Sequence, residues 1–343
     1  MLGRSGLEVS ELAFGAMNFG TARYAGVGGT MRDAARAQVD LCLEAGVTLF
    51  DTADIYSDGQ SEELLGEALG NRRKDVVLAT KVFGRMGPGS MERGLSRRHI
   101  VASCEASLRR LGTDWIDLYQ SHGWDGAVPV DETLRAFEDL ISAGKVRYIG
   151  SSNHSGWHLM KALATADRIG TSRYISQQIQ YSLLVRDAEA ELMPCGLEEG
   201  VGGLIWSPLG QGYLTGKYRD PKAEGRLNKA GSLARADDNR ARATVDMLCQ
   251  IADRRGEHVS PGQIAIAWLL HRPGVTSVLV GARTIEQLTD NLRAAEVMLS
   301  AEEMEALNAA SAVQVPYPRS HQLMSSADRN PPLPAMIERP SAP

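Results

Sequence analysis

Eight short apolar runs, each followed by a stretch of helical period, limit what this chain can become. The runs are LAFG, TLFDTA, VVLATK, IDLYQSH, VRYIGSS, ISQQIQ, GGLIWSPL and TSVLVGA, and helices are expected to begin near Arg32, Ser61, Arg98, Asp131, Gly156, Asp187, Arg240 and Thr284. Strands separated by helices of this length pair in parallel, and a parallel sheet is either covered on both faces or closed on itself. Eight repeats argue for closure, so the expected fold is α/β, a (β/α)8 TIM barrel. An open doubly wound sheet would carry G-x-G-x-x-G between its first strand and helix. The segment here, GAMNFGTARYAGVGG, lacks that spacing and is too long for a tight phosphate loop.

Several departures decorate the repeat. Residues 2–9, LGRSGLEV, read as an N-terminal hairpin. Residues 210–240 form a long, Gly-rich and charged loop after the seventh strand, longer than a connection needs and suited to a lid or cofactor clamp. The Ser-Pro start of SPGQIAIAWLL marks an extra helix before the eighth strand, and SAEEMEALNAA a further capped helix. Ser61 and Asp131 are expected to cap their helices, and Gly144 to stop the second of them. The barrel domain is expected to span residues 1–312. Residues 313–343 form a Pro-rich tail, either disordered or draped over it.

Period-2 alternation places Leu49, Asp51 and Ala53 on one face of the second strand, so Asp51 points where an apolar side chain belongs. A buried carboxylate requires a cation. Lys81, closing VVLATK on the face of Val77 and Ala79, can supply it, and His122 closes the fourth run in the same way. Tyr56 lies just beyond the Asp51 strand. In a barrel these positions converge at the C-terminal mouth, together with Ser151, Ser152, Asn153, Gln178 and Trp206. Singly, each has a plainer reading: a surface tyrosine, a snorkelling lysine, a core histidine, a capping aspartate. Jointly, at one end of the strands, they form a constellation for proton transfer.

With 43% hydrophobic and 23% charged residues the chain can bury a large core, and a net charge of −5 without a basic patch argues against nucleic acid. No apolar stretch approaches the roughly 20 residues of a membrane helix, and MLGRSGLEVSEL has no signal-peptide core, so the cytoplasm is the expected location. Cys42, Cys104, Cys195 and Cys249 lie far apart and fit free thiols. His154 and His158, four apart, could chelate a metal on a helix, but they straddle a strand-to-helix junction with no third ligand nearby. They are expected to be solvated loop histidines, and no metal is expected.

From LGRSGLEVS to GARTIEQLTDNL the chain resembles the aldo-keto reductases, and DTADIYSDGQSEELLG, ATKVFG, LYQSHGWD, GKVRYIGSSN, QYSLL, WSPLGQGYLTGKY and VGARTIEQL stand in the family's order. Within it, the chain is similar to a bacterial branch related to aryl-alcohol dehydrogenases and potassium-channel β subunits. The resemblance implies a catalytic tetrad of Asp51, Tyr56, Lys81 and His122 that reduces an aldehyde or ketone reversibly with NADPH, Tyr56 being the proton donor. A neighbouring ammonium lowers a phenol's pKa from about 10. The resemblance also implies cofactor contacts from Gly15, Ala16, Met17 and Asp51, and places Ser152, Asn153 and Gln178 at the nicotinamide carboxamide with Trp206 stacked on the ring. Ser207, Pro208, Leu209, Gln211 and Lys217 fall at the pyrophosphate, and Gly281, Ala282, Arg283, Gln287 and Asn291 at the adenosine end.

Gly281 and Gln287 stand where many members carry basic residues, while Arg283 keeps a planar fork for a 2′-phosphate. NADPH is therefore expected over NADH. The competing expectation is an NADPH-binding regulatory subunit of channel-β type with little turnover, and a metal-dependent barrel hydrolase is disfavoured by Lys81. The partner is expected to be a small carbonyl substrate, an aryl aldehyde, a sugar ketone or a bulky ketone. Trp124, Phe83, Tyr24 and Tyr317 are candidates for lining its pocket. Oligomeric state is not legible.

Overall fold

Parity along each run decides which side chains face inward. The computed structural model describes residues 1–21, 28–219, 239–256 and 259–324. Eight parallel strands, β1 (Leu12–Gly15), β2 (Leu49–Asp51), β3 (Val77–Val82), β4 (Ile116–Ser121), β5 (Val146–Ser152), β6 (Ser176–Gln180), β7 (Gly202–Trp206) and β8 (Val275–Val280), close in sequence order into a barrel. Ala13, Leu49, Ala79, Leu118, Leu204 and Leu279 form the inner core with Leu2. Residues of opposite parity, among them Phe14, Phe50, Leu78, Val82 and Ile149, join the larger core under the helices. The register sets Asp51 against Ala79 and Lys81 against Gln120, so the polar inward residues stack above the inner apolar layer.

The helices are α1 (Arg32–Glu44), α2 (Gln60–Leu69), α3 (Arg97–Leu111), α4 (Val130–Ser142), α5 (Gly156–Ile169), α6 (Leu192–Glu199), α7 (Asn239–Arg255), α8 (Pro261–Leu270), α9 (Ile285–Leu292), α10 (Ala301–Ala310) and α11 (Arg319–Met324). The Ser-Pro signal is the N-terminus of α8: Ser260 accepts from the Gln263 N–H, with Pro261 in the first turn. Ser300 caps α10 in the same way. Gly144 follows the end of α4 in the left-handed region, as its position in the sequence suggests. Among the described residues no helix is long and apolar enough to cross a membrane.

Three local expectations are corrected. Ser61 lies inside α2 rather than at its cap, which is Gly59, and its hydroxyl donates to the Ala16 carbonyl at 2.7 Å. Asp131 falls in the first turn of α4, whose cap is Pro129 and bears no side-chain bond. Residues 2–9 fold back through Leu2 N–H to Leu7 C=O at 2.7 Å but build no strand pair. Gly3 sits instead against the bottom of the barrel, where an added Cβ would lie 2.3 Å from the Ile175 carbonyl oxygen. That close backbone approach takes the place of a ladder.

Most of the expected lid, residues 220–238, lies outside the described residues. Its described beginning is a pair of tight turns, Gly210–Thr215 and Lys217–Arg219. Of the tail, residues 313–324 are described: they include α11 and help wall a cleft at the barrel mouth. The remainder, 325–343, lies outside the described residues.

Candidate active site

The ends of β2, β3 and β4 bring Asp51, Lys81 and His122 to one point, and the turn after β2 adds Tyr56. Lys81, fully buried, donates from Nζ to Asp51 Oδ2 at 2.5 Å, to the Thr52 carbonyl at 2.7 Å and to the Tyr56 hydroxyl at 3.4 Å. The same ammonium lies 4.9 Å from the Tyr56 ring centre. His122 meets that ring edge-on, with centroids 5.6 Å apart at 80°. All four members of the expected tetrad are therefore in one cluster.

Electrostatics assign states to Lys81 and His122. Burial alone would push Lys81 down, but Asp51 and the phenol outweigh it and hold the ammonium above the ordinary lysine value. His122 is pushed down to about 3, first by burial and then by the Lys81 charge. It is a neutral imidazole near pH 7, able to donate one hydrogen bond.

Two features escape the sequence-level reading. Gln120, fully buried, donates to Asp51 Oδ1 at 3.0 Å. It shares the inward parity of Leu118 and His122, the signal that could have revealed it. The second feature is a layer of buried carboxyls behind Lys81. Glu62 accepts from Thr80 Oγ1 and from Arg110 Nε, both at 2.6 Å. Asp54 donates its backbone N–H to the Lys81 carbonyl, while its fully buried carboxyl meets no cation or side-chain donor at hydrogen-bond distance among the described residues and has only the Ile55 backbone N–H nearby.

Asp54 is raised from 3.8 to about 8, by burial first and then by the Glu62 charge, with Arg110 and Lys81 opposing. A folded-state pKa above the unfolded one means that the native state binds the proton more tightly. Stability therefore falls as pH rises from about 4 to about 8. At about 1.4 kcal/mol per tenfold this sets an upper bound of several kcal/mol on the penalty at pH 8, which relaxation of the site reduces. Asp54→Asn is expected to melt like the parent near pH 4 and several degrees higher at pH 8. Parallel melts at the two pH values check it, and equal shifts at both would overturn the assignment.

The residues expected around a cofactor form three groups. At the ends of β5, β6 and β7, Gln178 Nε2 donates to Asp51 Oδ1 at 2.8 Å and Ser152 Oγ to the Gln178 carbonyl at 3.0 Å. Asn153 Nδ2 donates to Ser152 Oγ, and Trp206 Nε1 to Asn153 Oδ1 at 3.2 Å. Residue 178 joins the two sets of bonds, its side chain serving Asp51 and its main-chain carbonyl serving Ser152. After β7, the Ser207 carbonyl accepts from Gly210 N–H, and the Leu209 carbonyl from Gly212 and Leu214. Pro208 lies buried between Ser207 and Leu209, while Lys217 reaches back to within 3.2 Å of where a Gly212 side chain would begin.

The third group packs β8 on β1. A Cβ on Gly281 would sit 2.9 Å from the Gly15 carbonyl, Ala16 is buried beside it, and Met17 is half-buried. The Ala282 carbonyl accepts from Asn18 and Gln38, and Asn291 Nδ2 donates to the Gly281 carbonyl at 3.4 Å. Arg283 is exposed, its N–H held by Gln287 Oε1 at 3.1 Å.

Among the described residues five non-glycine residues adopt the left-handed conformation, Ser57, Asp58, Asn153, Ser207 and Gln211, and all lie on turns at the C-terminal barrel face. Such strain collects where surrounding structure fixes a functional surface. Gln211 also carries a buried Oε1 without a partner among the described residues. With the amides, the hydroxyl and the cations Lys217 and Arg283, this donor set fits a dinucleotide.

His154 and His158 are not solvated loop histidines. His154 is buried against Trp124, Tyr174 and Ser121, and burial pushes it down to about 4. His158 stacks on Trp124 at 4.2 Å and accepts the Ser155 N–H through Nδ1, completing the capping box of α5. Trp124 thus packs on this helix, and Phe83 lies against Gly123. Beside the site, a cleft of about 780 Å³ is lined by Asn153, Trp206, His158, Tyr317 and Arg319 among others. Tyr24 lies outside the described residues. All four cysteines are free; burial pushes the Cys42 and Cys104 thiols up to about 12.

A closed parallel barrel whose mouth holds a lysine-bound tyrosine beside a neutral histidine is an arrangement fitted to exchange a proton with a bound molecule. The aldo/keto reductase family profile matches residues 11–312, and the chain belongs to that family. An uncharacterized oxidoreductase of Bacillus subtilis, YrpG, is 40% identical over 90% of this chain and 94% of its own. A probable voltage-gated potassium channel subunit beta of Arabidopsis thaliana is 37% identical over 87% and 90%. The versiconal hemiacetal acetate reductase of Aspergillus parasiticus is 33% identical over 89% and 94%. The family works with nicotinamide cofactors and reduces carbonyl compounds.

Proposed function

We propose that the protein reduces an aldehyde or ketone to the alcohol with NADPH, Tyr56 supplying the proton. The observation that carries this reading is the fully buried ammonium of Lys81 set between Asp51 and the Tyr56 hydroxyl. An ammonium at that distance favours the phenolate that remains once Tyr56 has given up its proton. Asp51 keeps the lysine charged, and His122, neutral, donates a hydrogen bond that orients the substrate oxygen. The bound dinucleotide supplies the hydride.

Ser152, Asn153 and Gln178 would hold the carboxamide, Trp206 the ring face, Ser207, Pro208, Leu209, Gln211 and Lys217 the pyrophosphate, and Gly281, Ala282, Arg283, Gln287 and Asn291 the adenosine end, with Gly15, Ala16, Met17 and Asp51 as further contacts. Arg283 selects the 2′-phosphate, so Arg283→Ala should reduce the ratio of NADPH to NADH efficiency about tenfold. A wild-type preference for NADH would overturn the cofactor assignment. Four unpaired thiols suit a reducing compartment such as the cytoplasm. The test of the reaction itself is NADPH consumption across a panel of aldehydes and ketones.

A second reading draws on the relatives named as channel β subunits: an NADPH-binding regulatory protein with little turnover. Tight NADPH binding with no oxidation across the whole panel would favour it.

A further inference from the structure

Asp51 Oδ1, the carboxylate oxygen turned away from Lys81, carries two amide donors. Gln178 Nε2 stands at 2.8 Å and Gln120 Nε2 at 3.0 Å, and the Gln178 amide also lies 3.4 Å from Gln120 Oε1. Under the proposed function, on which this inference rests, Gln178 turns its amide to a nicotinamide carboxamide. Asp51, 3% exposed, would then hold that oxygen on Gln120 alone. A buried carboxylate stripped of its donors is costly, because water cannot replace them.

The barrel is shaped to keep Gln120 in place. In register, β4 sets Gln120 beside Lys81 on one side and Gly150 of β5 on the other. A Cβ on Gly150 would lie 3.3 Å from Gln120 Cγ and 2.4 Å from Ser176 Oγ, so a larger residue there would crowd the glutamine. No substrate or cofactor contact is required of Gln120 itself.

We propose that Gln120 is a positioning residue that holds Asp51 Oδ1 when Gln178 leaves it, so that the Asp51–Lys81 pair keeps its geometry as the cofactor binds. Gln178 and Gln120 are redundant in the free protein, and only Gln120 serves in the loaded one.

The test is a double-mutant cycle on NADPH affinity, followed by quenching of tryptophan fluorescence, with Gln120→Met, Gln178→Met and the double variant. Gln120→Met is expected to weaken binding about tenfold in the parent background, the scale of one hydrogen bond to a charged group. In the Gln178→Met background the same change should cost less than about twofold, since Gln120 then serves Asp51 equally with and without cofactor. Equal losses in both backgrounds, or none in either, would overturn the role. Thermal melts establish that each variant is folded. If Gln120→Met is not, the cycle is run with Gln120→Asn, whose amide hangs one methylene short of Asp51. Wild-type protein that binds neither NADPH nor NADH overturns the functional reading and this one with it. Binding with additive losses overturns only the role of Gln120.

Discussion

Tyr56→Phe is expected to lower kcat/KM for a reducible aldehyde about a thousandfold, while the dissociation constant for NADPH stays within about twofold. The substitution deletes one oxygen from a ring that is 8% exposed, and leaves the edge-on contact with His122 and the Lys81 ammonium above the ring. Packing is therefore kept, and what is lost is the proton donor together with the longest of the three Lys81 hydrogen bonds. General acid catalysis contributes typically 10²- to 10⁴-fold, and a factor of a thousand corresponds to about 4 kcal/mol of transition-state stabilisation. The loss should fall on kcat rather than KM, because the proton moves only in the transition state. A variant retaining most of the wild-type rate would remove Tyr56 from the reaction, and His122, neutral at the same oxygen, would become the candidate donor.

The long-range frame of this site was legible because strand parity is a strict rule. Leu49 and Asp51, Ala79 and Lys81, and Leu118 and His122 follow one alternation, and closure of the barrel turns it into convergence. What misled was local chemistry with a remote competitor. Ser61 has the residues of a cap, but the Ala16 carbonyl beyond β1 takes its hydroxyl. His154 stands in a polar, loop-like string, but Trp124 and Tyr174 from two other segments bury it. Gln120 is masked in the sequence by its neighbours Tyr119, which packs outward on Phe137, and Ser121, which reaches His154. Only the inward neighbours, named by the register, show what its amide serves.

β2 also ends earlier than its run suggests. Thr52 and Asp54 nevertheless continue along β3, through Thr52 N–H to the Ala79 carbonyl at 2.9 Å and Asp54 N–H to the Lys81 carbonyl at 3.2 Å. The chain leaves the sheet gradually, and this brings Tyr56 back over Lys81. The turn then passes through left-handed Ser57 and Asp58, whose conformation no local pattern announces.

Lys81→Met is expected to lose both activity and stability, and the pH dependence separates the two. Removing the ammonium leaves Asp51 as a buried carboxylate with only amide donors, and breaking such a pair typically costs 3 to 5 kcal/mol. Gln120 and Gln178 still hold one of its oxygens, so about 3 kcal/mol is the expected loss. The folded-state pKa of Lys81 is raised, so its contribution is complete below the ordinary lysine value of 10.5 and fades only as pH climbs through the higher folded one. Melts at pH 6 and pH 9 should accordingly show the same drop, in contrast to the pH-dependent gain of Asp54→Asn. Turnover should fall at least a hundredfold, because without the cation the phenolate left behind by Tyr56 has no counter-charge. Lys81→Arg should not restore it, since a planar guanidinium cannot occupy a point-charge site with Asp51 Oδ2 at 2.5 Å, the Thr52 carbonyl and the Tyr56 hydroxyl all around it. Full turnover in either variant would mean that the buried ion pair serves the fold alone and that the acidity of Tyr56 arises elsewhere.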